Sequence, residues 1–142
     1  MTTYTFKFEA TPTAEDVRAI YAGLRSFNQQ HAPADQYQPL VIVLRDEAGG
    51  VVGGLAGDTY WGWLHVDALW LDEPARGLDF GTHMLQMAEL EALQRGCRHA
   101  HLDTMSFQAR PFYEKMGYTV FGVLDDLPQG QQRIFMQKDL KG

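Results

Sequence analysis

The chain has 142 residues, 45% of them hydrophobic and 21% charged, with 14 Gly, one Cys and a formal net charge of -6. That is the size of one compact domain with a single core. It is too apolar for a disordered chain and, with no basic run, lacks the charge that holds a nucleic-acid backbone. The lone cysteine, Cys97, excludes an internal disulfide. No apolar run nears the roughly 18 residues that span a bilayer, no lipidation motif is present, and residues 1–7 lack the basic head and apolar core of a secretion signal. A soluble cytoplasmic protein with no membrane and no nucleic-acid partner is expected.

Residues 4–9 alternate Tyr4, Phe6 and Phe8 with Thr5, Lys7 and Glu9, the period of a half-buried strand. Thr13 offers a hydroxyl N-cap, Glu15 and Asp16 suit the positive helix end, and Val17, Ile20, Tyr21, Leu24 and Phe27 form one stripe of a helix to about Asn28. Residues 29–39, polar and holding Pro33 and Pro39, read as loop or a broken helical turn. Residues 40–45 and 51–60 predict a hairpin across the turn chemistry of residues 46–50. Within it Gly53, Gly54 and Gly57 point to a bulge or a close backbone approach.

After a turn at Gly62, residues 63–71 are apolar at nearly every position, the pattern of a central strand buried on both faces. Met84, Leu85, Ala88, Ala92 and Leu93 make the stripe of a main helix over 81–95, stopped by Gly96. A strand over 99–104, a short helix over 111–116 opened by Pro111 and closed by Gly117, and strands over 118–124 and 133–139 complete the order β-α-β-β-β-α-β-α-β-β. With no repeat or linker, residues 1–142 read as one domain.

Two segments carry chemistry. In the first, the strand ending Leu69-Trp70-Leu71 leads through Arg76-Gly77-Leu78-Asp79-Phe80-Gly81-Thr82 into the main helix. Unpaired amides at such a loop and helix start, with the helix dipole, bind anions. Glycine lets the anion approach the backbone and permits positive φ. A plain strand-to-helix turn has the same spacing, and the loop alone does not decide. The second segment, Ser106 to Tyr118, places Ala109, Phe112, Tyr113 and Gly117 around the short helix.

Together the two segments resemble the GNAT superfamily of N-acetyltransferases, which use acetyl-coenzyme A. Arg76, Gly77, Gly81 and Thr82 match its pyrophosphate loop, and Ala109, Phe112, Tyr113 and Gly117 its Ala-x-x-Phe-Tyr-x-x-x-Gly segment. The resemblance covers nearly the whole chain. It implies an α/β (α+β) fold: a mixed, mostly antiparallel sheet of about seven strands, splayed in the middle and flanked by helices. It further implies that the amides of Arg76, Gly77, Leu78, Asp79, Phe80, Gly81 and Thr82 hold the pyrophosphate of acetyl-coenzyme A, with Phe112 beside them. The edge of Leu69 to Leu71 pairs with the pantetheine arm, and an amide near Leu69 polarises the thioester carbonyl. Tyr113 is the implied acid that protonates the departing thiolate.

Two positions depart from the pattern. Asp79 stands where the family usually has Gly and brings a negative charge toward an anion, unless its side chain points outward and only its amide serves. Ser106 stands where Asn is frequent, and its hydroxyl can cap the short helix or bond the pantetheine.

The base is open between His65, Asp67 and ordered water, the two side chains being spaced for one strand face. Asp58, Asp67, Asp72, Glu73 and Asp79 against Arg76 form an acidic stretch that attracts a cationic amine or is a solvated rim. Tyr60, Trp61 and Trp63 line an acceptor pocket or pack the hairpin. His99 and His101 are spaced as metal ligands, but no third ligand stands nearby and no metal is expected. Cys97 reads as a buried structural thiol.

The expected activity is acetyl transfer from acetyl-coenzyme A to a primary amine of a small molecule. The alternatives are a peptide or protein amine as acceptor, or a non-catalytic acyl-coenzyme A-binding module. A homodimer through residues 133–139 is a further expectation from the resemblance.

Overall fold

The computed structural model describes residues 1–141, which divide into two compact units, Met1–Asp35 and the chain from Gln36 onward. In the first unit helix α1 spans Ala14–His31, and the Asp16 amide donates to Thr13 Oγ1 at 3.1 Å, the expected cap. It passes Asn28 by three residues because Gln29 and Gln30 favour helix and the first breaker is Pro33. A proline disfavours the helical region for the residue before it, and Ala32 is extended, with φ -140° and ψ 158°. Residues 4–9 are not a strand: their alternation defines a face, but no described strand pairs with them.

The second unit is a six-stranded sheet in the order β1-β2-β3-β4-β6-β5, one strand fewer than expected. β1 (Gln38–Arg45) and β2 (Val51–Tyr60) form the predicted hairpin, and the Gly50 amide donates to Asp46 Oδ1 at 2.8 Å to close its turn. β2 turns into β3 (Trp63–Leu71) through Trp61 and Gly62, both at positive φ, as a two-residue hairpin turn requires. Helix α2 (Phe80–Gln94) then crosses to β4 (His99–Met105), which pairs parallel to β3. Helix α3 (Arg110–Lys115) leads to β5 (Thr119–Asp125) and β6 (Gln132–Asp139). β3–β4 is the parallel pair; the rest are antiparallel, so the sheet is mixed and mostly antiparallel.

β6 lies between β4 and β5, so both of its edges are used. Residues 133–139 therefore cannot add to a second copy's sheet; the outer strand at that end is β5.

The core lies on the face of the sheet that α2 covers. Leu64 and Val66 of β3, Ala100 and Leu102 of β4 and Ile134 and Met136 of β6 meet Met84, Leu85, Ala88 and Ala92 of α2. Cys97 belongs to this core, and burial pushes its thiol's pKa up, as a structural thiol requires. Glu89 of α2 is held by the Tyr118 hydroxyl at 2.8 Å and by Lys138 Nζ at 2.9 Å. That network ties α2 to β6, and Lys138 also donates to the Met116 carbonyl at the end of α3, at 2.7 Å. No helix among the described residues is long and apolar enough to cross a membrane.

Leu85 has no exposed surface and faces the sheet from the middle of this core. Leu85→Ala should lower unfolding free energy by about 2–5 kcal/mol, measured by urea denaturation with unchanged slope.

Candidate active site

β3 determines the site. Its antiparallel partner β2 accompanies it along its length, but its parallel partner β4 pairs only from Trp63–His99 to Val66–Leu102. Beyond that level β3 and β4 part, the splay that the resemblance implied. The change coincides with a bulge: Ala56 faces Ala68 and Gly57 faces Val66, so Asp67 is the extra residue. A bulge brings backbones close, and a Cβ on Gly57 would overlap the His65 carbonyl oxygen. The glycines thus signal what they were expected to signal.

The bulge also changes the phase of β3. Leu64 and Val66 are buried before it, while Leu69 and Leu71 are half-buried after it and Trp70 is exposed. The strand is therefore not buried on both faces; its apolar run supplies two different inward sets. For the same reason a spacing of two no longer ensures a common face for His65 and Asp67, and Asp67 is exposed.

Past Leu71, Asp72 caps a short 3-10 turn, Glu73–Ala75, that the sequence did not announce. Arg76 follows, with its Nε donating to the Leu71 carbonyl at 3.0 Å, which fastens the loop to the end of β3. Gly77 (φ 78°) and Asp79 (φ 63°) are both left-handed, with exposed Leu78 between them. The first amide bonded within α2 is that of His83, to the Asp79 carbonyl at 3.1 Å. The amides of Phe80, Gly81 and Thr82 have no backbone acceptor among the described residues, as at any helix start. Asp79 is the N-cap, yet its exposed side chain makes no capping bond.

Gly81 is buried at the meeting point of three elements. A methyl group there would lie 3.5 Å from Phe112 Cζ and 3.8 Å from Leu69 Cδ2. The structure thus brings Leu69 of β3, the start of α2 and Phe112 of α3 together. Tyr113, 6% exposed, packs edge-on to Phe112 (centroids 5.1 Å) and to Tyr118 (5.9 Å). Burial first, and then the Asp103 carboxylate, push its phenol above the ordinary value of 10.0. It is protonated at neutral pH, and no hydrogen bond engages its oxygen among the described residues.

Ser106 does not cap α3. Its hydroxyl donates to Gln131 Oε1 at 2.6 Å and accepts the Gln132 amide at 2.9 Å, pinning the turn before β6. The start of α3 is held instead by Thr104, whose Oγ1 accepts the Ala109 amide at 3.3 Å, and by Gln108, whose Oε1 accepts the Met105 amide at 2.7 Å. The sequence signal for both was weak: a buried Thr and a Gln two residues before α3 announce no partner.

On the sheet face turned away from α2 stands a cluster that spacing did not single out. Asp58 of β2 is opposite His65 of β3, which is beside His101 of β4. The two imidazoles stack at 4.7 Å and 21°. His99, whose spacing from His101 is that of a ligand pair, bonds Asp139 Oδ1 at 2.8 Å and stacks on Trp63 at 4.7 Å. Among the described residues no group of three His, Cys, Asp or Glu is placed to hold a metal ion.

The family model for the GNAT acetyltransferases matches residues 5–118. An acetyltransferase of Agrobacterium fabrum is 38% identical over 125 residues, which is 88% of this chain and 91% of that protein. The blasticidin-S acetyltransferase of Streptomyces morookaense is 39% identical over 115 residues, 78% of this chain and 85% of that one. The crystal structure of a Bacillus cereus acetyltransferase superimposes with a TM-score of 0.86 at 33% identity, covering 94% of this chain and 98% of the other. The chain belongs to the GNAT acetyltransferase family and is an acyltransferase with the GNAT fold.

The exposed Asp79 carboxylate, turned away from capping its own helix, is screened by water and salt. Asp79→Asn should change the Kd for coenzyme A by less than about threefold at physiological ionic strength, read by isothermal titration. A tenfold tightening would place the carboxylate against the phosphates.

Proposed function

We propose that the protein transfers the acetyl group of acetyl-coenzyme A to a primary amine of a small molecule. The observation that carries this reading is the convergence of Leu69, Gly81 and Phe112 where β3 has lost its β4 partner and α2 presents free amides. Both features suit coenzyme A. The unpaired edge of β3 can bond the amides of an extended pantetheine arm, and the amides from Gly77 to Thr82 can receive the pyrophosphate. The small-molecule acceptor is supported by the blasticidin-S acetyltransferase among the relatives.

In the proposed reaction the amine attacks the thioester carbonyl, a backbone amide near Leu69 stabilises the developing oxyanion, and Tyr113 supplies a proton to the departing sulfur. The raised phenol is suited to that role, because it stays protonated throughout the neutral range. The second segment of the resemblance, Ala109-Arg110-Pro111-Phe112-Tyr113, thus has one residue, Phe112, that packs the coenzyme end of α2, and one, Tyr113, that meets the chemistry.

Two measurements test this. A panel of amines that includes blasticidin S should show amine-dependent release of coenzyme A thiol from acetyl-coenzyme A; thiol release indifferent to every amine rules the reading out. Tyr113→Phe preserves the ring packing and removes only the hydroxyl. Its kcat should fall by roughly 100-fold or more, while the Kd for acetyl-coenzyme A stays within about twofold. Equal turnover would remove the phenol from the reaction. Because the phenol titrates above 10.0, and its protonated form is the active one, loss of the acid should not reduce kcat until the pH passes that value.

A further inference from the structure

Three strands carry Asp58, His65 and His101 to one level of the sheet, immediately before the point where β3 and β4 part. His65 and His101 alternate with buried Leu64, Val66, Ala100 and Leu102, so they stand on the face away from α2. His65 Nδ1 is 3.6 Å from Asp58 Oδ1. That oxygen is buried and has no hydrogen-bond partner. A buried carboxylate oxygen left without a donor is costly, and an Nδ1–H on His65 faces it at that distance. On the other side His101 covers a face of the same ring, and the Tyr60 hydroxyl lies 3.5 Å from His101 Nε2.

The structure assigns His65 as the group that takes the proton of the acceptor amine, with Asp58 and His101 as its positioning residues. This rests on the acetyl-transfer reading above and selects among the bases that the sequence left open. Asp58 fixes the neutral His65 ring in the Nδ1–H tautomer, so that Nε2 carries the lone pair. His101 shields the ring and itself remains uncharged: burial, and then the neighbouring His65, lower its affinity for protons, against the opposing pull of Asp58 and Asp103. The other charged or titratable groups on β2, β3 and β4 are Tyr60, Asp67, His99 and Asp103. Of these Asp103 is held by Arg133 at 2.9 and 3.1 Å, and His99 by Asp139.

The neutral amine's nitrogen forms a bond to the acetyl carbon, the carbon–sulfur bond breaks, and the amine's surplus proton passes to His65 Nε2. Sulfur leaves with the proton of the Tyr113 hydroxyl. His65 then releases a proton to water and Tyr113 regains one, so the net change is one proton moved from nitrogen to sulfur.

The test combines a spectroscopic readout that needs no acceptor with a kinetic one that does. In the full-length protein labelled with 15N-histidine, and with the His65 signals identified by their loss in His65→Gln, neutral His65 should be the Nδ1–H tautomer. Asp58→Asn should shift it toward Nε2–H. With blasticidin S, or another amine of the panel that is turned over, Asp58→Asn should lower kcat at least tenfold and His65→Gln at least a hundredfold, with KM for acetyl-coenzyme A within twofold in both. His101→Phe, which keeps a flat ring against His65, should retain more activity than His101→Ala. An Nε2–H tautomer in the parent protein, or a wild-type kcat in Asp58→Asn, overturns the assignment. A parent protein that turns over no amine overturns the acetyl-transfer reading instead, and the tautomer then decides the arrangement by itself.

Discussion

The site depends on β3 keeping one neighbour and losing the other. A strand interior normally bonds on both sides, because a buried peptide group without a partner costs free energy. Here residues 68–71 retain β2 and have no ladder with β4. The bulge at Asp67 provides the bend, and Gly57 provides the room for it, since any side chain there would meet the His65 carbonyl. The same bulge turns Leu69 inward, where it flanks Gly81, as the ring of Phe112 does. One extra residue therefore opens the sheet, frees a row of backbone groups and sets an apolar wall beside them.

The chain carries a net charge of -6, yet its proposed substrate is a polyanion. In that proposal the conflict is resolved locally, because the binding groups are backbone amides at the start of α2 and in the loop before it, with no need for a basic surface. Asp79 illustrates how backbone and side chain are separate requirements. The loop needs a left-handed residue at 79, and aspartate is among the few non-glycine residues that adopt that conformation readily. Glycine is the family's usual solution, and aspartate keeps the geometry while adding an exposed charge. Arg76 also contributes by position, because its Nε donates to the Leu71 carbonyl and fastens the loop to the end of β3.

What the sequence made legible follows from locality. The hairpin, β3, α2 and the strands flanking α3 were readable because periodicity and turn chemistry act within a few residues. The conformation of the loop before α2 was readable because glycine marks it, and Gly77 is left-handed. Phase changes and partners were not. The run over residues 63–71 hid a bulge, since an apolar residue at every position fits either phase. The alternation of Tyr4, Phe6 and Phe8 defined a face without supplying a ladder. Ser106 displayed the right chemistry for a cap, but its partners are Gln131 and the Gln132 amide, 25 and 26 residues away. Asp58, His65 and His101 became a unit only through the register of three strands, which no spacing along the chain encodes.

That register also sets the acid and the base of the proposed reaction on opposite faces of the sheet. Tyr113 belongs to the core on the α2 face, whereas His65 stands on the opposite face among Asp58 and His101. With β3 and β4 bonded throughout, the sheet would be a continuous wall between them. The wall ends at Val66 and Leu102, so beyond that level a substrate threaded between the strands can present its sulfur to one face and its amine partner to the other. In the proposed mechanism the splay is thus more than a slot for coenzyme A: it lets a proton acceptor and a proton donor on opposite sides of the sheet act on bonds to the same carbonyl carbon.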